Sequence, residues 1–185
     1  MKRLSKTKKN ILQYIWEADK PLTLTELVDK TRLTVRTVRR HLNDMEKMGL
    51  IMKSGYFITS EGKNIIGFPP IDEQIAQQVL KKTSAREAFH FYTDYGNPLG
   101  VSASSLEDFC KIASNIHIKS LEYHSQNGHF TSWIRFLGDL ELAERLNQLR
   151  NTIRMGEALR SAIYTVVKNR FDELADELQT VEPIE

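Results

Sequence analysis

The sequence predicts an α+β fold in two domains, because both charge and hydrophobic spacing change partway along the chain. Lys and Arg outnumber Asp and Glu by 14 to 7 in residues 1–69, whereas Asp and Glu outnumber them by 17 to 12 in residues 70–185. No helix is expected to cross Gly67-Phe68-Pro69-Pro70, because proline removes a backbone donor and restricts the residue before it. We therefore predict a basic domain over 1–69, a linker helix over 70–85 and a second domain over 86–185.

Three helices are expected before residue 50. The first carries an apolar stripe at helical spacing, formed by Ile11, Leu12, Ile15 and Trp16. Thr23 and Glu26 have the spacing of a capping box, in which each side chain bonds the other residue's backbone N–H, and they mark the start of the second helix. Thr34 is a suitable N-cap for the third.

The third helix, over residues 34–48, has two distinct faces when successive residues are placed 100° apart. Its apolar face is expected to contain Val35, Val38, Leu42 and Met45, and Gly49, directly after the helix, lies in line with this stripe. Its polar face contains Arg36, Arg40, Asn43 and Lys47, with Thr37 and Arg39 at the flanks. Three arginines within residues 36–40 are therefore expected to point away from the core.

A β-hairpin should follow the third helix, because the apolar runs 50–52 and 56–58 flank the turn Lys53-Ser54-Gly55. Thr59 or Ser60 then caps a short helix. Two helices, a turn, a third helix and a two-stranded wing constitute a winged helix-turn-helix. Residues 25–66 resemble the DNA-binding core of MarR- and ArsR-like prokaryotic regulators.

This resemblance implies double-stranded DNA as the partner. A recognition helix presents its N-terminal side chains to base edges in the major groove, where arginine forms a bidentate pair with guanine. The candidate contacts on this helix are Thr34, Arg36, Thr37, Arg39, Arg40 and Asn43, led by Arg36 and Arg40. Lys53 at the wing tip and Lys8 and Lys9 in the first helix are expected to contact phosphates. The alternatives are that the arginines only solvate an exposed face, or that the winged helix binds RNA or docks a protein.

The second domain is predicted to mix strands and helices. Alternating apolar residues predict strands over 88–92 and 117–124, with a loop over 94–98. Helical spacing predicts a helix from Ser104 or Ser105 and three further helices. The last of these, over 155–178, is long and amphipathic.

Residues 86–178 are similar to an archaeal family of unknown function. The resemblance rests on several short motifs, namely His90-Phe91-Tyr92, Gly100-Val101-Ser102-Ala103, Ser105-Leu106-Glu107, Ser120-Leu121-Glu122-Tyr123-His124, Gly128, Phe130, Trp133 and Gly138-Asp139. The sequence departs from the family at Asn127-Gly128-His129-Phe130, where relatives have an Arg-Gly-Asp-Phe turn. The resemblance implies no activity.

A candidate ligand pocket follows from the two predicted strands. If they pair, His90 and Tyr92 share one sheet face with Glu122 and His124. Two imidazoles and a carboxylate suffice to ligate zinc or iron. However, their spacing matches no established metal motif, and a hydrogen-bonded polar cluster is the simpler interpretation. We therefore predict no metal and no cofactor, with an unidentified small-molecule effector or a metal-dependent activity as alternatives.

Other function classes lack a signal in the sequence. No apolar run reaches the roughly 18 residues that cross a bilayer, and the basic segment MKRLSKTKKN is not followed by the apolar region of a signal peptide. Cys110 is the only cysteine, so no intrachain disulfide is expected. Neither a glycine-rich phosphate loop nor a nucleophile elbow is present. We expect a cytoplasmic protein without catalytic residues.

The long last helix also bears on assembly, because its apolar stripe must pack on its own domain or on a second chain. We favour a homodimer, since winged-helix regulators commonly bind two half-sites one helical turn apart. The sequence as a whole predicts a sequence-specific DNA-binding transcriptional regulator. Its second domain is expected to serve dimerisation and, as a further hypothesis, effector sensing.

Overall fold

The computed structural model describes residues 4–18, 20–52, 55–153 and 155–179. They form two units, Met1–Pro70 and Ile71–Glu185. Helices dominate both units, and within the described residues each unit has one two-stranded antiparallel sheet. The predicted α+β class is therefore confirmed.

The first unit is a helical core with a short β-hairpin. Its described elements are α1 (Lys6–Glu17), α2 (Leu24–Thr31), α3 (Val35–Lys47), β1 (Ile51–Met52), β2 (Phe57–Ile58) and α4 (Ser60–Ile65). This order is that of a winged helix-turn-helix, as predicted.

The predicted caps set the starts of these helices. The Thr23 hydroxyl accepts the Glu26 backbone N–H at 3.2 Å, and the Glu26 carboxylate accepts the Thr23 backbone N–H at 2.7 Å. The bonds that the Glu26 carboxylate accepts from the Thr23 backbone N–H and from the Thr23 hydroxyl lower the pKa of Glu26. Thr34 caps α3 by accepting the Thr37 backbone N–H, and the left-handed conformation of Arg32 (φ 54°) turns the chain between α2 and α3.

The core of the first unit joins α1 to the helix-turn-helix. The apolar stripes meet through fully buried side chains, which include Ile11, Leu12, Leu27, Val38, Leu42 and Met45. A salt bridge from Lys8 Nζ to Asp44 Oδ2 at 2.9 Å ties α1 to α3. Behind the wing, a β-carbon on Gly62 would lie 2.2 Å from the Leu50 carbonyl oxygen, so only glycine permits this approach of α4.

The second unit packs a β-hairpin on a set of helices. Its described elements are α5 (Glu73–Leu80), β3 (Phe89–Asp94), β4 (Asn97–Ala103), α6 (Leu106–Ala113), α7 (Ile118–Gln126), α8 (His129–Leu137), α9 (Leu140–Thr152) and α10 (Gly156–Gln179). The segment expected to link the domains contains α5, which packs on α10 with Ala76 and Val79 in the core of this unit.

The strand predicted over 117–124 is wrong, because these residues form the cap and most of the length of α7. Ser120, Leu121, His124 and Ser125 are buried, which is helical spacing. The His117 side chain caps this helix by accepting the Lys119 backbone N–H. The partner of β3 is instead β4, and much of the loop predicted over 94–98 belongs to this hairpin.

The apolar stripe of α10 is buried inside its own unit. Leu159, Ile163, Val167 and Leu174 lie in the core and pack against α5, α6, α7 and α9. This is the intradomain alternative considered for the last helix. The stripe is therefore not available as a dimer interface.

One charged side chain of α10 lies in this core. Arg170, 7% exposed, donates from Nε to Asp139 Oδ2 at 2.6 Å and from Nη2 to Asp139 Oδ1 at 3.1 Å. Its Nη1 also donates to Glu141 and Glu173. Removing one partner of such a buried pair leaves a charge without compensation, which costs about 3–5 kcal/mol.

We therefore expect Arg170→Met to lower the free energy of unfolding of the second unit by about 3–5 kcal/mol. Lys168→Met is the matched control on the same helix, because the Lys168–Asp172 pair is solvent-exposed and should contribute little to stability. Urea titrations can follow Trp133 alone in a Trp16→Phe background, since each unit has one tryptophan. Equal losses in the two variants would contradict a structural role for the buried pair.

Candidate nucleic-acid interface and C-terminal cleft

The N-terminal half of α3 exposes the predicted DNA-contacting face. Arg36, Arg39, Arg40 and Asn43 are exposed, as is the cap Thr34, and Thr37 is half-buried. The hydroxyls of Thr34 and Thr37 lie 2.9 Å apart and share a hydrogen bond. Five of these six side chains lie at the cap or in the first two turns of α3, and Asn43 lies further along the same helix.

The guanidinium groups of Arg36, Arg39 and Arg40 have no hydrogen-bond or ion-pair partner among the described residues. Elsewhere in the chain, several arginines are paired with carboxylates. These pairs, all in the second unit, are Arg135–Glu144, Arg145–Glu141, Arg160–Glu157 and Arg170–Asp139. The three charges on α3 are therefore free to bind an external anion.

Val35 departs from its predicted environment. The helical projection places it beside the buried stripe, but it is 48% exposed because it is the first residue of α3 and no described element of its unit covers it. It adds an apolar group next to Arg36 and Thr37. An aliphatic side chain at this place on a recognition helix suits contact with a thymine methyl group.

The predicted lysine contacts have different environments. Lys9 is exposed on α1, whereas the Lys8 side chain is only 18% exposed and is paired with Asp44. The bond from Lys8 lowers the pKa of Asp44, which keeps the pair ionised. Lys8 thus has a structural partner, and we do not expect it to contact phosphate. Lys53 lies outside the described residues.

His41, on α3 between Arg40 and Leu42, contributes no charge to this surface. Its Nδ1 is buried and has no hydrogen-bond partner in the part of the chain that the structure describes. Burial, and then the positive charges of Arg40 and Lys8, lower the pKa of His41 and favour the neutral ring. The positive charge of the α3 face therefore comes from its arginines and from the exposed Lys47 near its end.

The second unit has an open cleft of about 530 Å³ beside the β3–β4 hairpin. It is lined by aromatic and imidazole side chains and one glycine, namely Phe89, His90, Tyr92, Tyr95, Gly96, Tyr123, His124 and His129. Phe89 and His124 are buried at its base. Tyr95, at the hairpin turn, is 92% exposed.

Two hydrogen bonds fix the protons of the histidines in this cleft. The Tyr92 backbone N–H donates to His124 Nε2 at 2.8 Å, at a point where the β3–β4 register shifts on both sides of Tyr92. Because a backbone N–H can only donate, neutral His124 carries its proton on Nδ1. That Nδ1–H then donates to His129 Nδ1 at 3.0 Å, which leaves the proton of neutral His129 on Nε2.

The structure brings together most of the predicted pocket residues. His90, Tyr92 and His124 line the cleft, although His124 comes from a helix and not from a paired strand. Glu122 does not line it, because its carboxylate accepts the Gly156 backbone N–H at 2.8 Å. The predicted pocket did not include Tyr95, Tyr123 or His129. Tyr95 lies at the hairpin turn, Tyr123 precedes His124 on α7, and His129 is the first residue of α8.

The arrangement does not favour the metal alternative. Both ring nitrogens of neutral His124 are occupied, one by an accepted hydrogen bond and one by its own proton, so the ring has no free lone pair. The described residues contain no cluster of three or more His, Cys, Asp or Glu side chains suited to a metal ion. Likewise, none of the described helices is long and apolar enough to cross a bilayer.

The fold and these two surfaces define a winged helix-turn-helix protein with a mixed second unit. Residues 4–52 are similar to a family described as winged helix-turn-helix DNA-binding. Residues 69–168 match a family of unknown function (DUF5752), and because this match covers more than half of the 185 residues, the chain belongs to that family. Comparison with curated proteins and with solved structures finds no match. Both resemblances noted from the sequence motifs are confirmed, while the archaeal origin stays a prediction.

Protonation of His124 should destabilise the second unit. Burial, and then the charge of His129, lower the pKa of His124 from the usual 6.5 to about 4. Between these values the unfolded chain binds a proton that the native ring does not. The contribution of neutral His124 to the free energy of unfolding is therefore fully present above pH 6.5. It falls as the pH drops toward 4, by at most about 1.4 kcal/mol per pH unit.

Urea titrations of Trp133 fluorescence between pH 7.5 and 4.5 test this expectation. His124→Gln keeps an acceptor for the Tyr92 N–H but does not titrate, so its stability should depend less on pH than that of the wild type. His90→Gln, at an exposed site, is the control and should behave as the wild type. An unchanged pH dependence in His124→Gln would rule out the assigned protonation.

Proposed function

We propose that the protein is a sequence-specific DNA-binding transcriptional regulator that inserts α3 into the major groove. One observation carries the proposal: three arginines without partners among the described residues surround the start of the recognition helix of a winged helix-turn-helix. A helix face that served only for solvation would not need three arginines within five residues. The family match of residues 4–52 supports the same interpretation.

The proposed contacts follow from side-chain chemistry. Arg36 and Arg40 are the candidates for bidentate pairs with guanine, and Asn43 for a pair with adenine. The methyl groups of Val35 and Thr37 suit thymine. Arg39, Lys9 and the wing residue Lys53 are assigned to phosphates, which set affinity and its dependence on salt without reading sequence.

We expect the double variant Arg36→Ala/Arg40→Ala to lose about 1–3 kcal/mol of discrimination for each arginine–base pair removed. If one of these arginines binds phosphate instead, the slope of log K against log salt becomes shallower by about 1 for each phosphate that is no longer neutralised. Binding would be measured by fluorescence anisotropy across a salt series, with random-sequence duplex and with DNA from upstream of the protein's own gene.

The matched control is Lys81→Ala/Lys119→Ala, which removes two positive charges from the surface of the second unit. This control should retain the affinity and salt slope of the wild type. If the wild type does not bind duplex DNA even at low salt, the regulator proposal fails. The winged helix would then be better explained as a module that docks a protein partner.

The proposal extends to assembly and regulation. We infer a homodimer on two half-sites, with the second unit providing dimerisation and effector sensing and with no catalytic step. Because the stripe of α10 is buried, the candidate interface is the exposed apolar pair Phe136 and Leu140, on either side of the α8–α9 turn, with exposed fractions of 56% and 45%. A regulator of this kind acts where the DNA is, which for a prokaryotic protein is the cytoplasm.

Sedimentation equilibrium of the full chain tests the dimer against the protomer mass of 21.4 kDa. Phe136→Glu places a charge in the proposed interface and should weaken association at least about tenfold, equivalent to about 1.4 kcal/mol. Met155→Glu, at a site 67% exposed and away from this pair in the chain, is the control. A protomer mass at all concentrations, with and without DNA, would contradict the dimer.

A further inference from the structure

We propose that the C-terminal cleft binds a small, uncharged, planar aromatic or heteroaromatic molecule. This inference gives a ligand class to the effector role in the proposed function. It rests on that function only for its consequence on DNA, because binding to the cleft can be measured without DNA.

The size and position of the cleft fit a small-molecule site. Its volume of about 530 Å³ lies within the range of roughly 300–1,000 Å³ typical of ligand pockets. Phe89 and His124 at the base are 6% and 3% exposed, while Tyr92, Tyr123 and His129 are half-buried. The cleft therefore extends from the solvent to the core of the second unit.

The lining is held in place before any ligand binds. The Tyr123 ring lies 5.0 Å from the His124 ring and 5.4 Å from the His129 ring, both in edge-on geometry. His124 in turn packs edge-on against Phe89 at 4.7 Å. Flat, mutually braced rings lose little side-chain entropy when a flat ligand packs against them.

The charge of the lining argues against an ionic ligand. Among the described residues, no Lys, Arg, Asp or Glu lines the cleft, and His124 is neutral at pH 7 because its pKa is lowered to about 4. A buried anion would thus lack a cationic partner, and desolvating an unpaired charge is costly. The site is suited to a molecule that enters without net charge.

Two ring nitrogens in the cleft can form directional hydrogen bonds with a ligand. His129 carries its proton on Nε2, because its Nδ1 accepts from His124, and this Nε2–H is a donor. The ring of His90 has Nε2 at 3.2 Å from the Ala85 carbonyl oxygen, so Nε2 donates and Nδ1 is left as an acceptor. A quaternary ammonium ion would pack on the rings but would leave the His129 Nε2–H without an acceptor, whereas a heteroaromatic molecule or an aromatic amide satisfies it.

The test uses four probes that share a size and differ in one property. They are 2-naphthamide, 2-naphthoate, 2-naphthyltrimethylammonium and the saturated analogue decahydronaphthalene-2-carboxamide. Binding to the full chain would be measured by isothermal titration calorimetry and by histidine-selective NMR. We expect the neutral aromatic amide to bind at least about tenfold more tightly than the other three, and to shift the His129 Nε2–H resonance.

Variants then locate the binding. Tyr123→Ala should weaken binding of the amide at least about fivefold. Tyr95→Ala should weaken it as well, and because Tyr95 is 92% exposed its removal should not affect folding. Tyr164→Ala is the control, since this tyrosine of α10 is 38% exposed and does not line the cleft. Circular dichroism checks that each variant is folded.

The proposal is overturned if none of the four probes binds, if a charged or saturated probe binds as tightly as the amide, or if Tyr95→Ala and Tyr123→Ala leave the affinity unchanged. Failure of DNA binding would not produce any of these results, so the two proposals fail separately. If both hold, adding the amide should change the affinity for operator DNA in the wild type and not in Tyr123→Ala.

Discussion

The structure of the second unit depends on Asp139, because its carboxylate both caps a helix and pairs with a buried arginine. One oxygen caps α9 by accepting the Leu142 backbone N–H at 2.9 Å, and both oxygens accept from the buried guanidinium of Arg170. The pair thus fixes α10 against the turn between α8 and α9. Since α10 packs on α5, α6, α7 and α9, the Asp139–Arg170 pair helps to set the positions of these four helices. Glu122, through its bond to Gly156, ties α7 to the start of the same helix.

The basic residues of the two units are used in opposite ways. In the second unit, several arginines are neutralised internally and contribute to the fold. In the first, Lys8 is used for structure through Asp44, whereas Arg36, Arg39 and Arg40 have no partner among the described residues. This division explains why the excess of positive charge in residues 1–69 indicates a binding surface, although the net charge of the whole chain is only +2.

Local chemistry makes much of the fold predictable. The caps at Thr23 and Thr34 and the apolar stripes of α1, α3 and α10 depend on residues within a few positions of one another. Their prediction is correct except at the two ends of the α3 stripe, where Val35 and Gly49 are exposed. The prediction for 117–124 is not correct, because Ile118, Ser120, Glu122 and His124 alternate as in a strand while their neighbours also fit a helix. Val35 projects onto the apolar face, but a helical projection cannot show that the first turn lacks a covering element. The cleft is only partly predictable, since Tyr95 and His129 are brought to it by tertiary structure, and Tyr123 lines it beside His124 because this segment is a helix and not a strand.

The hydrogen bonds made by His124 and His129 in the cleft run in one direction. The bonds from Tyr92 to His124 and from His124 to His129 run head to tail, so their dipoles point the same way and each bond strengthens the next. An acceptor that captures the Nε2–H of His129 would add a third bond to the series and polarise both rings. The backbone of β3, where the hairpin ladder is irregular, would then be held more firmly by a hydrogen bond formed two side chains away, at His129. If the cleft binds such an acceptor, as proposed above, its occupancy should therefore stiffen the hairpin.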